Sequence, residues 1–96
     1  MVYRYNVNQT SKETQLLYSG LTLSEIASME VDGVNATVAT GYTFDTTGGH
    51  TVKYTFKDNT TIPNYTFCQI SGITSVIFPD TVKNLGYGVF NSKTIF

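Results

Sequence analysis

The chain has 96 residues, with 6 Lys and Arg against 7 Asp and Glu and a formal net charge of −1. Its few cations are scattered, so no basic stripe of the kind nucleic acid requires is present, and no apolar run nears the roughly 18–20 residues that span a bilayer. A single cysteine, Cys68, excludes an internal disulfide framework, and the length allows one compact domain with a modest core.

Aromatic residues make up 14% of the chain and Thr is its commonest residue, while Leu, Ala, Glu and Lys are sparse. Thr, Tyr and Phe favour a pleated, half-buried surface, and the missing residues are the usual helix formers. The expected fold class is all-β, or nearly so.

Tyr3, Tyr5 and Val7 alternate with Arg4 and Asn6, which predicts a first strand. A signal peptide would show a continuous apolar stretch in place of this alternation. Residues 8–14 are polar and loop-like. Residues 15–18 and 21–29 fit two periods. Leu23, Ile26 and Met29 have helical spacing, yet Ile26, Ser28, Glu30 and Met29, Val31 also alternate as in a strand. A strand over about 27–31 is favoured, because Asp32-Gly33 follows as a turn signal. A short helical turn over 22–27 stays open as the alternative for its first part.

Residues 34–40 and 42–44 come next, and then Asp45-Thr46-Thr47-Gly48-Gly49. The two glycines supply the positive φ of a tight hairpin. The strand after them alternates most cleanly. His50, Val52, Tyr54 and Phe56 share one face; Thr51, Lys53, Thr55 and Lys57 share the other. That is a half-buried strand with one wet face, closed by Asp58-Asn59.

The last third carries a repeat. Thr61-Ile62-Pro63-Asn64-Tyr65-Thr66-Phe67 returns as Asn84-Leu85-Gly86-Tyr87-Gly88-Val89-Phe90, with Ile62 and Leu85 separated by 23 residues. Between the copies lies an apolar run from Ile73 to Phe78, closed by Pro79-Asp80. With a one-residue slip the period traces back to Phe56-Lys57-Asp58. A fixed period in the twenties marks a solenoid, whose units bury their apolar faces against neighbours. About one and a half units are present, so residues 1–58 are expected to cap residues 59–96 within one continuous domain.

At these residues the chain resembles the bacterial surface-antigen (BspA-like) leucine-rich repeats. Ile73-Thr74-Ser75-Val76-Ile77-Phe78-Pro79-Asp80-Thr81-Val82 and Leu85-Gly86-Tyr87-Gly88-Val89-Phe90 fit that pattern; in the earlier copy Pro63 stands for the glycine and Thr66 for the alanine. A weaker likeness, from Thr46 to Asp58, is to the closing strand of bacterial immunoglobulin-like domains. The resemblance implies an N-terminal β cap or small sandwich-like segment followed by the first turn or two of a leucine-rich repeat solenoid. It also implies a cell-surface or secreted location and an adhesin-like role towards host proteins.

Few residues suggest chemistry. Nucleophilic catalysis wants a Cys or Ser beside an oriented His. His50 opens a strand, where it is expected to pack on an aromatic neighbour or face solvent, and Cys68 follows Phe67 in a buried turn. Neither is read as catalytic, and no enzyme or cofactor is expected. Asp45 and Asp58 could meet at one end of a sandwich around calcium, although turn capping is the ordinary role of such residues. Four Asn-x-Thr signatures are expected by chance in so Thr-rich a chain and carry no weight. Gly86 and Gly88 precede Val89-Phe90 and no helix, so they read as turn chemistry.

The candidate binding surface is the outward side of the repeat strands. Val76 and Phe78 are expected to point in. Ser75 and Ile77, with Thr51, Lys53 and Thr55 of the preceding strand, are expected to form one Thr-lined surface. The expected partner is another protein, or a second copy paired through the C-terminal end at Ile95. A structural cap or spacer without a ligand of its own is the alternative function.

Overall fold

A computed structural model of the chain describes residues 1–90. Its strands are β1 (Val2–Val7), β2 (Thr14–Gln15), β3 (Ile26–Val31), β4 (Val34–Ala36), β5 (Gly41–Tyr42), β6 (Gly48–Phe56), β7 (Thr61–Ile62), β8 (Ile73–Ile77) and β9 (Asn84–Leu85). Among the described residues the one helical element is the 3₁₀ turn Leu23–Glu25, so the all-β expectation is met. The largest sheet is open and antiparallel, in the order β4-β3-β6-β1-β8. β2 and β5 form an antiparallel pair, and β7 and β9 a parallel one. The described residues do not close into a solenoid. The Ile95 edge lies outside them.

β1 occupies the middle of the sheet. Its alternation places Met1, Tyr3 and Val7 in the core, and each edge of the strand is used. Tyr3 faces Val52 of β6 on one side and Val76 of β8 on the other. The two strands expected to stack directly are therefore separated by an antiparallel third. The apolar face of β1 explains this: Tyr3 is 1% exposed, stacks on Tyr54 and meets Phe67 edge-on at 5.1 Å. Its hydroxyl donates to the carbonyl of Leu16 at 2.8 Å, which ties the segment 16–17, ambiguous in sequence, into the core. β8 thus joins the sheet built by the N-terminal residues.

The Asp32-Gly33 signal forms the turn it predicts. Both residues have positive φ, 51° and 83°, the signature of a two-residue type I′ hairpin closing Val31 on Val34. β3 begins at Ile26, one residue before the expected strand. Ile26 pairs with Phe56 and Ser28 with Thr55, so Ala27 bulges outward. The Gly48-Gly49 hairpin does not form. Both glycines lie within β6 opposite Val7 and Asn6, and β5 pairs with β2 instead. Gly49 has a different use, since a Cβ there would lie 2.5 Å from Nη2 of Arg4.

The 23-residue echo becomes a parallel register. Thr61 pairs with Asn84 and Ile62 with Leu85. The amides of Gly86 and Lys83 donate to the carbonyls of Ile62 and Thr60, both at 2.8 Å, and those of Tyr65 and Phe67 to Tyr87 and Val89, both at 2.9 Å. Equivalent residues share a conformation: Tyr65 has φ 63° and Gly88 φ 65°. Phe67 and Phe90 stack at 5.6 Å. The departures from the repeat pattern have local reasons. Gly86 needs its N–H for the Ile62 carbonyl, whereas Pro63 opens the first copy, with no earlier strand beside β7 among the described residues. Thr66 is fully buried but donates its hydroxyl to the Pro63 carbonyl at 2.7 Å.

Candidate functional site

The pleat carries the five predicted surface residues to one side of the large sheet. Lys53, Val2 and Ile77 stand opposite one another across β6, β1 and β8, and Thr51, Arg4 and Ser75 form the next row. Thr55 lies further along β6, beside Ser28 of β3. The five are thus brought to one face, but through β1, whose Val2 and Arg4 fill the space between them. Arg4 donates to the Thr51 hydroxyl at 2.8 Å, and Lys53 approaches Glu30 of β3 at 3.8 Å. Ile77 is 68% exposed and is the apolar centre of the β8 side. The alternation of Arg4 with Tyr3 and Tyr5 already marked it as outward. What sequence lacked was any signal that β1 enters between the other two strands.

A second polar cluster sits at the turn end of β6. His50 contacts Asp32 Oδ2 through Nδ1 at 2.6 Å and the Thr46 carbonyl through Nε2 at 2.9 Å. A carboxylate only accepts, so Nδ1–H donates to Asp32; Nε2 faces both the carbonyl and the hydroxyl of Thr46, donating to the former when the ring is protonated. The ring also packs on Phe44 with centroids 4.6 Å apart, as expected of an aromatic neighbour. Thr46 Oγ1 lies 3.1 Å from Nε2, which gives the hydroxyl–imidazole–carboxylate order of a nucleophilic triad. In the protonated ring Nε2–H is directed at the carbonyl, and that nitrogen has no lone pair to receive the hydroxyl proton. The cluster lines a cleft of about 350 Å³ together with Tyr42 and Asp45. It fastens the β3–β4 turn and residue 46 to the start of β6.

The bond to Asp32 raises the His50 pKa above its ordinary 6.5; partial burial and Arg4 oppose the rise, and the Thr46 carbonyl and Asp32 charge add to it. Burial alone would push the Asp32 carboxyl up, but the His50 bond, the Thr51 amide and the charges of His50 and Arg4 hold it below its ordinary 3.8. The signs fix a window. The His50 contribution to stability is complete below pH 6.5 and lost as pH rises through the raised value; the Asp32 contribution is complete above pH 3.8 and lost as pH falls through the lowered one. The difference in unfolding free energy between the native chain and His50→Gln is therefore expected to be largest between those values and to shrink towards pH 8. Urea titrations at pH 5, 6.5 and 8 measure it; a flat difference would show that the pair carries no charge-dependent stability.

The other sequence candidates stay apart. Asp58 accepts from the Thr60 amide at 3.0 Å and hydroxyl at 2.7 Å, an ordinary turn cap, while Asp45 lines the His50 cleft at the opposite end of β6. The calcium pairing is not formed, and the described residues contain no group of three metal-ligating side chains. Cys68 is buried and does not line the His50 cleft.

Fold and face together define an all-β chain with one open antiparallel sheet, a mixed polar and apolar outer face, and a two-copy parallel repeat. Comparison with protein-family models, curated proteins and solved structures returned no match.

Proposed function

We propose that the chain is a non-catalytic protein-interaction module of a bacterial surface or secreted leucine-rich repeat protein, adhesin-like in action. The observation that supports it is the continuity of Thr51, Lys53, Thr55, Ser75 and Ile77 with Val2 and Arg4 over three neighbouring strands. Such a face offers an apolar centre, Ile77, beside two cations and several hydroxyls. This is the composition of a polar, wet protein interface, and it requires no cofactor. Surface plasmon resonance against purified host extracellular proteins tests it. Saturable binding is expected, weakened about tenfold by Ile77→Asp combined with Lys53→Glu, with the fold intact. Binding that survives both changes would remove this face from the function.

One observation favours the structural reading. Ile62 and Leu85 hold equivalent repeat positions, yet Ile62 is 1% exposed and Leu85 54% exposed. The first copy is covered by the second, and the second presents the same apolar position to solvent. In this reading the chain pairs through that end as a cap or spacer. Concentration-dependent dimers in sedimentation velocity, abolished by Leu85→Lys but not by the Ile77 and Lys53 changes, would select it.

A further inference from the structure

A groove runs where the 3₁₀ turn meets the first repeat copy. Two clefts of about 280 and 320 Å³ share Glu25 and Pro63 in their walls. Tyr18 and Tyr65 line the first cleft, with ring centroids 5.9 Å apart and inclined at 49°. Tyr87 continues the file, 5.6 Å from Tyr65 and inclined at 78°, and is 71% exposed. The rings are set by backbone: a Cβ on Gly20 would lie 2.6 Å from the Tyr18 ring, and the Tyr65 amide is bonded to the Tyr87 carbonyl. Among the described residues the three phenol hydroxyls take no hydrogen-bond partner.

Three features select the occupant. Mutually inclined rings make notches, which suit pyrrolidine rings, whereas sugar stacking wants a broad coplanar platform. A polyproline II segment has no internal hydrogen bonds, so its carbonyls are open to phenol donors, and two of its residues rise about 6 Å, close to the ring spacing. Glu25, Asp58 and Lys57 line the second cleft, two acidic residues to one basic one, which favours a cationic end on the ligand. We propose that this groove binds a proline-rich peptide in the polyproline II conformation, carrying an Arg or Lys that lies over Glu25 and Asp58.

The test is an NMR titration of the 96-residue chain with a synthetic decapeptide of two Pro-x-x-Pro turns ending in Arg. Saturable shifts are expected at Tyr65, Tyr87 and Glu25. Tyr87→Ala, a change at an exposed side chain, should weaken binding about tenfold, and Tyr65→Phe, which removes only a hydroxyl, about fivefold. Exchanging the peptide Arg for Glu should weaken binding and reverse its salt dependence, because added salt then screens a repulsion. An all-alanine peptide that binds equally well, or a cello-oligosaccharide that binds in place of the peptide, would overturn the proposal. So would the absence of shifts at millimolar peptide.

Discussion

Tyr3→Ala is expected to destabilise the chain by about 4 kcal/mol, a large share of the roughly 5–15 kcal/mol that holds small domains together. Tyr3 is 1% exposed and belongs to no single element's packing. It touches Tyr54 of β6 and Phe67 of the first repeat copy, and through its hydroxyl it satisfies the carbonyl of Leu16. Truncation leaves a cavity at the junction of sheet and repeat, and it orphans a buried acceptor. Tyr3→Phe separates the two effects: the ring stays, the Leu16 carbonyl loses its donor, and about 1–2 kcal/mol is expected to go. Urea denaturation of the three chains measures both steps. A loss below 1 kcal/mol for Tyr3→Ala would mean that the sheet and repeat do not share a core through this ring.

Gly86→Ala is expected to cost about 2–3 kcal/mol, although it adds only one methyl group. A Cβ there would meet the Asn64 amide nitrogen at 2.5 Å and the Ile62 carbonyl oxygen at 2.7 Å, both backbone atoms of the neighbouring copy. Neither can swing aside, so the parallel pair must separate and lose its Gly86–Ile62 bond. Gly49→Ala is the control. The atom in its way is the end of the flexible Arg4 side chain, at 2.5 Å, and a change within about 0.5 kcal/mol is expected. If both substitutions cost the same in thermal unfolding, the close approach of β9 to β7 is not what constrains position 86.

Local features of this fold were legible because their causes are local. Alternation identified the buried face of β6, and a positive-φ requirement identified the Asp32-Gly33 turn. The 23-residue echo became the Ile62–Leu85 register, since equal spacing with apolar side chains at the matching positions 62/85 and 67/90 lets the two copies follow the same backbone path. Neighbour choice was illegible. The period-2 pattern of Tyr3, Tyr5 and Val7 says which side is apolar and nothing about which strands flank β1. Hence all five surface residues fell on one face, while Val2, Arg4 and Glu30 between and beside them were missed. His50 was read from its own segment alone. Its partners Asp32 and Thr46 come together only because a hairpin turn and a loop converge on the first residues of β6. Gly48 and Gly49 misled for a related reason: glycine permits a turn, but here Gly49 makes room for a side chain from another strand.

The central place of β1 has a consequence for how the molecule is made. β1 is synthesised before both of the strands that flank it and must wait for them, since Tyr3 needs Val52 on one side and Val76 on the other. Until most of the chain has been synthesised, its apolar side chains and both its edges have no native partner. Non-local pairing of this kind slows folding and prolongs the exposure of unpaired strand edges. Polar residues that interrupt an apolar strand lower its tendency to associate with other chains, and Arg4 and Asn6 stand at such positions in β1.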